Sequence, residues 1–321
     1  ELKPGNFFQF CQLNMSSLTS KKRRTKKQAS SSSSSSSTKT SAKAKFKNIL
    51  TPVFCESYSQ EGLDHANEDR LWASTSSLKQ QQSPDSNRSR AVLVGKRRRS
   101  VGSDTKTDDV GLYCCFDGHG GDECSIYLAQ HFGREFSTCF NDSITDEDVE
   151  PIPSIDLLSN SLHLAISESE DKFMNGIGVE DDSGACLIAV TVSARSVVCA
   201  CVGDCRAVVG KNLFSASSNS IKLSNTRVLM RQLSTDQTGW EEEERRRIEK
   251  MGGHVVDGRI NGILEPSRTI GDADLKRVHP PSGLIAEPVV TAFDPFGEWG
   301  DDFETLSLIV ATDGLWDVID R

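Results

Sequence analysis

The chain has 321 residues, 36% apolar and 26% charged, with a net charge of −9. That suits one globular domain with attachments, long enough to bury a sizeable core. An acidic body argues against nucleic acid as the main ligand, and no apolar run approaches the roughly 18 residues of a membrane-spanning helix.

The charge is uneven. Residues 1–50 hold eleven Lys or Arg against one acid, a balance of +10 that leaves −19 for residues 51–321. Within that segment Lys21-Lys22-Arg23-Arg24 and Lys26-Lys27 precede an unbroken serine run from Ser30 to Ser37. Such a stretch cannot bury enough apolar surface to fold, so residues 1–50 are expected to form a disordered basic, Ser-rich tail. It reads as a solubilising tail, as a nuclear-localisation patch or, with Met15 as the true start, as a transit peptide. The expected compartment is accordingly cytoplasmic or nuclear, with the mitochondrion as the alternative. The folded body is expected from residue 51 to 321, interrupted over 74–109 by a polar, low-complexity surface insertion.

The predicted elements follow in order. From Asp122 to Phe140, Ile126, Ala129, Phe132, Phe136 and Phe140 recur at helical spacing, as do Ile155, Leu158, Leu162, Ala165 and Phe173 between Ser154 and Met174. "CLIAVTV" (186–192) and "SVVCACV" (196–202) read as paired strands. "GDCR" (203–206) turns into "AVVG" (207–210), and "LSLIVAT" (306–312) is a further strand. Residues 241–251 predict an exposed helix in which Glu241, Glu242 and Glu243 each face an arginine four residues on, stopped by Gly252-Gly253. Paired strands followed by paired helices favour an α+β fold over a doubly wound sheet. The ten cysteines form no CxxC pair and lie mostly in apolar runs, which predicts buried free thiols.

Acids gather where strands end: Glu68 and Asp69 in "HANEDRLW", Asp117 in "CCFDGHGG", Asp204 in "CVGDCR", and Asp313 and Asp317 in "ATDGLWDV". Asp181 and Asp182 precede "SGACLIAV". For Asp204 a turn role is the expectation. Asp117 and Asp313 differ, because each follows an apolar run and precedes a glycine. Carboxylates brought together repel unless a cation neutralises them, and oxygen-only ligation is the habit of Mg²⁺ and Mn²⁺. Gly118, without a Cβ, would let a metal reach its carbonyl. A lone loop histidine is usually a spectator, but His119, two residues from such a carboxylate, is placed to protonate a leaving group.

Eight segments in order resemble the metal-dependent Ser/Thr protein phosphatases of the PPM, or type-2C, class. They are "NEDR" (67–70), "FDGHGG" (116–121), "DDSGACLIAV" (181–190), "VGDCRAV" (202–208), "RRRIEKMGGHV" (245–255), "RINGILEPSRTIGDADLK" (259–276), "SGLIAEPVV" (282–290) and "ATDGLWDV" (311–318). The resemblance implies a β-sandwich of two antiparallel sheets flanked by helices on both faces. It implies two Mg²⁺ or Mn²⁺ ions, with a weaker third, that activate a bridging water to hydrolyse phosphoserine or phosphothreonine on proteins. Asp117 would bridge two metals and Gly118 give its carbonyl to one. Glu68 and Asp313 would each support one, and Asp181 and Asp317 would serve the third. His119 would be the general acid, with Asp69, Arg268 and Asp272 structural or supporting. Partners would be phosphorylated proteins, with no nucleic acid and no membrane, and the protein a monomer.

Two departures from the family pattern stand out. Asp64 occupies the position where the family has a phosphate-gripping arginine, and an acid there repels a phosphate dianion. The family's last metal-binding Asp, in a terminal Asp-Asn pair, falls beyond Arg321, so the chain is expected to be truncated at both ends. The alternative function is a pseudophosphatase that keeps the fold as a binding or regulatory module.

Overall fold

The computed structural model describes residues 8–17, 50–60, 70–74, 110–144, 152–211, 229–300 and 305–319. Its centre is a sandwich of two antiparallel sheets. One has the spatial order β2 (Leu50–Gln60), β1 (Phe8–Ser17), β13 (Thr305–Ala311), β7 (Arg206–Lys211), β8 (Leu229–Gln232). The other runs β12 (Val289–Phe293), β6 (Val197–Val202), β5 (Gly184–Val192), β4 (Gly111–His119), β3 (Arg70–Ser74), with β11 (Ile270–Gly271) alongside β5. A separate hairpin joins β9 (Val255–Val256) to β10 (Arg259–Ile260).

The strand residues sort by their period of two. Tyr113 and Cys115 on β4, Ile188 and Val190 on β5, Cys199 and Cys201 on β6 and Leu308 and Val310 on β13 fill the space between the sheets. Leu112, Cys114 and Phe116, with Leu187, Ala189, Val198 and Ala200, face outward under α1 (Glu123–Ser143) and α2 (Ile155–Met174). Both faces of β5 are covered, which is why it reads as an unbroken apolar run. Leu128 and Phe132 on α1 and Leu162 and Phe173 on α2 are fully buried, and each contributes about 1.5–3 kcal/mol on leaving water. Phe132 meets Phe116 edge to face at 5.9 Å, which seats α1 one residue from Asp117. Ser154 caps α2 by accepting from the Leu157 N–H at 3.1 Å. The remaining helices are α3 (Glu242–Met251), α4 (Ala273–Lys276), α5 (Pro295–Trp299) and α6 (Asp313–Ile319), the last touching β1 and β13.

The antiparallel α+β sandwich agrees with expectation, and so do the free cysteines: the eight whose side chains the structure describes are unpaired in any disulfide, seven of them buried. The tail does not follow expectation throughout. Residues 8–17 form β1, in register with β2 on one side and β13 on the other. The alternation in "FQFCQLNM" is the strand signal, and the basic, Ser-rich composition downstream of it masks it. Residues 18–49 and the 75–109 part of the insertion lie outside the described residues; β3 and β4, which flank the insertion, pair with each other.

Candidate active site

Three strands deliver an aspartate at one end of the sandwich. β4 carries Asp117 near its end, β6 leads through Gly203 to Asp204, and β13 runs into Asp313, the first residue of α6. Carboxylate oxygens of Asp117, Asp204 and Asp313 all lie within 4.8 Å of one another. Two strands belong to one sheet and the third to the other, so the cluster forms only when the sandwich closes.

This corrects the expectation for Asp204, which is more than a turn residue. The sequence signal was present: an apolar strand run precedes it, as with Asp117 and Asp313. The turn itself is tightly held. Gln237, buried, accepts from the Gly203 N–H at 2.8 Å and donates to the Cys201 carbonyl at 3.0 Å. Its own N–H reaches the Gly203 carbonyl at 3.0 Å. Gly203 has φ +104°, and a Cβ there would lie 2.3 Å from the Cys186 sulfur. The Cys186 thiol in turn hydrogen-bonds the Asp204 carboxylate.

The electrostatics record the crowding. Burial, followed by the charge of Asp313, pushes the Asp204 carboxyl up to about 7. Asp313 is raised by burial and then by Asp317, one helical turn on along α6. A group of oxygens that resist ionising together is a fitting seat for a hard divalent cation.

His119 ends β4, where its register partner on β5 is Gly184. A Cβ on Gly184 would sit 2.1 Å from the Asp272 carboxylate, so the bare backbone there is the space that carboxylate occupies. Asp272, 3% exposed, meets His119 Nε2 at 2.9 and 3.0 Å through its two oxygens. It is held in the left-handed region at φ 54°. Asp181 lies apart from the carboxylate cluster, accepting from the Ser183 N–H at 3.0 Å and from the Ser183 hydroxyl. Ser183 accepts in turn from the Cys124 N–H at 3.0 Å, satisfying the start of α1. Gly118 sits on β4 between Asp117 and His119, opposite Ala185. Asp64, Glu68 and Asp69 lie outside the described residues.

Residues 77–321 match the family model described as "Protein phosphatase 2C". The chain belongs to the protein phosphatase 2C family. Among its relatives are "Probable protein phosphatase 2C 2" of Oryza sativa subsp. japonica, 29% identical over 218 residues, and "Probable protein phosphatase 2C 13" of Arabidopsis thaliana, 30% identical over 217. Each alignment covers 65% of this chain and 49% of the relative. The chain thus spans about half the length of the curated relatives it matches. The structure also aligns with a crystal structure of serine-threonine phosphatase 2C from Toxoplasma gondii at 14% identity and a TM-score of 0.46, covering 64% of this chain and 85% of that one.

In this protein phosphatase 2C chain Arg268 belongs to a structural node. Its Nη2 and Nε donate to Glu244 on α3 at 2.6 and 3.1 Å, and Arg247 Nη2 and Ser267 Oγ donate to the same carboxylate at 2.7 and 2.6 Å. Burial would raise Glu244, but hydrogen bonds from Arg268, Arg247 and Ser267 outweigh it and hold the carboxyl at about 2. So α3 is not the purely exposed, self-bridged helix its sequence predicts. Glu242 does pair with Arg246 at 2.9 Å, but Arg247 turns to Glu244 and to the Gly283 and Ser267 carbonyls.

Proposed function

We propose that the intact protein is a divalent-cation-dependent phosphatase acting on phosphoserine and phosphothreonine in proteins. Family membership supports the reaction class, and one observation carries the reading: aspartates from both sheets meet in a single cluster beside the His119–Asp272 pair. Asp117, Asp204 and Asp313, with the Gly118 carbonyl, would hold the cation, and the oxygen-only donor set suits Mg²⁺ or Mn²⁺. Once bound there, the ion supplies a water activated near neutral pH and offsets charge on the phosphoryl oxygens. Two ions, with a weaker third near Asp181 and Asp317, is the stoichiometry we infer.

The chain's own residues handle the leaving group. Asp272 fixes the His119 ring through Nε2 and stabilises its imidazolium form. As the bond from phosphorus to the Ser or Thr oxygen breaks, that oxygen takes the electron pair and the imidazolium proton. The test is turnover of a phosphothreonine peptide by the full-length protein with Mn²⁺. EDTA and Asp117→Ala should each abolish it, and calorimetry should find Mn²⁺ sites lost with Asp117→Ala. Turnover no greater than that of the Asp117→Ala protein would refute the assignment and leave a binding module.

A further inference from the structure

We propose that Glu170 and Lys276, which are not members of the carboxylate cluster, are positioning residues that aim the proton donor through Asp272. The inference rests on the reading of His119 as that donor. Asp272 can reach His119 only because the chain takes two successive left-handed residues, Gly271 at φ 79° and Asp272 at φ 54°. A non-glycine residue there is strained and persists only where its surroundings over-determine it.

The surroundings are specific. Glu170, on α2, spends one carboxylate oxygen on the Gly271 N–H at 2.8 Å and the other on Lys276 Nζ at 2.7 Å. Lys276 Nζ also donates to the Thr269 carbonyl at 2.8 Å, so the pair grips the segment on both sides of β11. The side chains are only 15% and 10% exposed, so the interaction is weakly screened. From inside, the Asp272 N–H donates to the Ser183 carbonyl at 3.1 Å, while the Leu275 and Lys276 N–H groups close α4 onto the Asp272 carbonyl at 3.1 and 2.9 Å. A Cβ on Gly271 would lie 2.4 Å from the Ser183 carbonyl oxygen, so the turn has little room to relax inward. Loss of the Glu170 carboxylate removes the bond to the Gly271 N–H and leaves Lys276 without its ion-pair partner, which loosens the outer grip. The turn can then relax outward and carry the Asp272 carboxylate away from Nε2.

A positioning role has a signature that a stability role lacks. Expelling a serine or threonine alkoxide needs a proton, whereas p-nitrophenolate leaves without one. In the full-length protein with saturating Mn²⁺, Glu170→Ala should lower kcat on a phosphothreonine peptide about 10-fold and change kcat on p-nitrophenyl phosphate less than about 2-fold. His119→Gln should show the same selectivity more strongly, on the order of 100-fold. Glu170→Ala in the His119→Gln background should add nothing further. Glu170→Gln keeps an acceptor for the Gly271 N–H and should recover most of the peptide rate, and Lys276→Met should fall between. Equal losses on both substrates, no loss on the peptide, or additivity with His119→Gln would overturn the inference while leaving the proton donor intact. Should His119→Gln itself be unselective, the proton-donor assignment falls and takes the inference with it.

Discussion

Asp204→Asn separates a carboxylate of the active centre from an ordinary turn residue. In the metal-free protein the Asp204 carboxyl titrates at about 7 instead of 3.8, because it is half-buried and desolvated and faces Asp313. The folded state therefore binds a proton that the unfolded state has lost between those values, and metal-free stability falls as pH rises from about 4 through about 7. Each unit is worth about 1.4 kcal/mol, so the ionised carboxylate costs up to about 4 kcal/mol above neutrality. Asparagine keeps the shape and the acceptor facing Cys186 but not the charge. Allowing for the desolvated amide, the variant should gain about 2 kcal/mol in EDTA at pH 8, a rise in Tm of about 4–8 °C for a domain of this size. It should also lose most of the slope between pH 4 and 7. With Mn²⁺ the order reverses, because the variant offers one carboxylate fewer and its metal-induced rise in Tm should shrink. Thermal unfolding followed by circular dichroism, with EDTA and with Mn²⁺, reads both effects. A variant that is less stable in EDTA but keeps the full Mn²⁺ increment would show a turn residue and refute the reasoning.

The Glu244 node predicts the opposite pH behaviour. Its carboxyl is held at about 2 against an ordinary 4.5, so its contribution is complete above about 4.5 and is lost as pH falls towards 2. That is about 3 kcal/mol, and Glu244→Gln should lose most of it at pH 7 and flatten the acid limb in urea unfolding between pH 2 and 6; an unchanged limb would exclude the node as its source. Gly184→Ala drives a methyl into the Asp272 carboxylate, so kcat on a phosphopeptide should drop about 100-fold while calorimetric Mn²⁺ affinity changes little. Equal losses in both would place the damage in the carboxylate cluster instead.

How much of this was legible depended on whether the determinant was local. The β5–β6 hairpin announces itself because both strands are buried on both faces and so are apolar at nearly every position. Asp117 and Asp313 were legible from the apolar run before each and the glycine after it, whereas Asp204 looked like a turn residue; the pairings of β4 with β5, β5 with β6 and β13 with β7 join it to them. Asp204 was misread for that reason. The 241–251 helix was misread as purely exposed because the deciding partner of Glu244, Arg268, is 24 residues away, beyond the three- and four-residue spacings that a helix pattern displays. The Asp272 partner of His119 lies 153 residues away, and what admits it is an absent Cβ at Gly184, which no propensity registers.

The same topology would couple stability to cation binding in this fold. A sandwich core needs apolar strands, and the strand end is the first place where a chain can present a carboxylate without burying it among hydrocarbon. Placing three such ends together concentrates negative charge, while Arg206 pairs with Asp236, Arg70 with Asp122 and Arg268 with Glu244. Burial first and a neighbouring carboxylate second raise Asp204 and Asp313, and a bound cation would favour their ionised forms. Occupancy of the site should then contribute to closing the two sheets on each other as well as to activating water. By that argument, mutations that weaken the sandwich far from the cluster, for example in the Leu308 and Val310 layer of β13, should lower metal affinity through the geometry of Asp313.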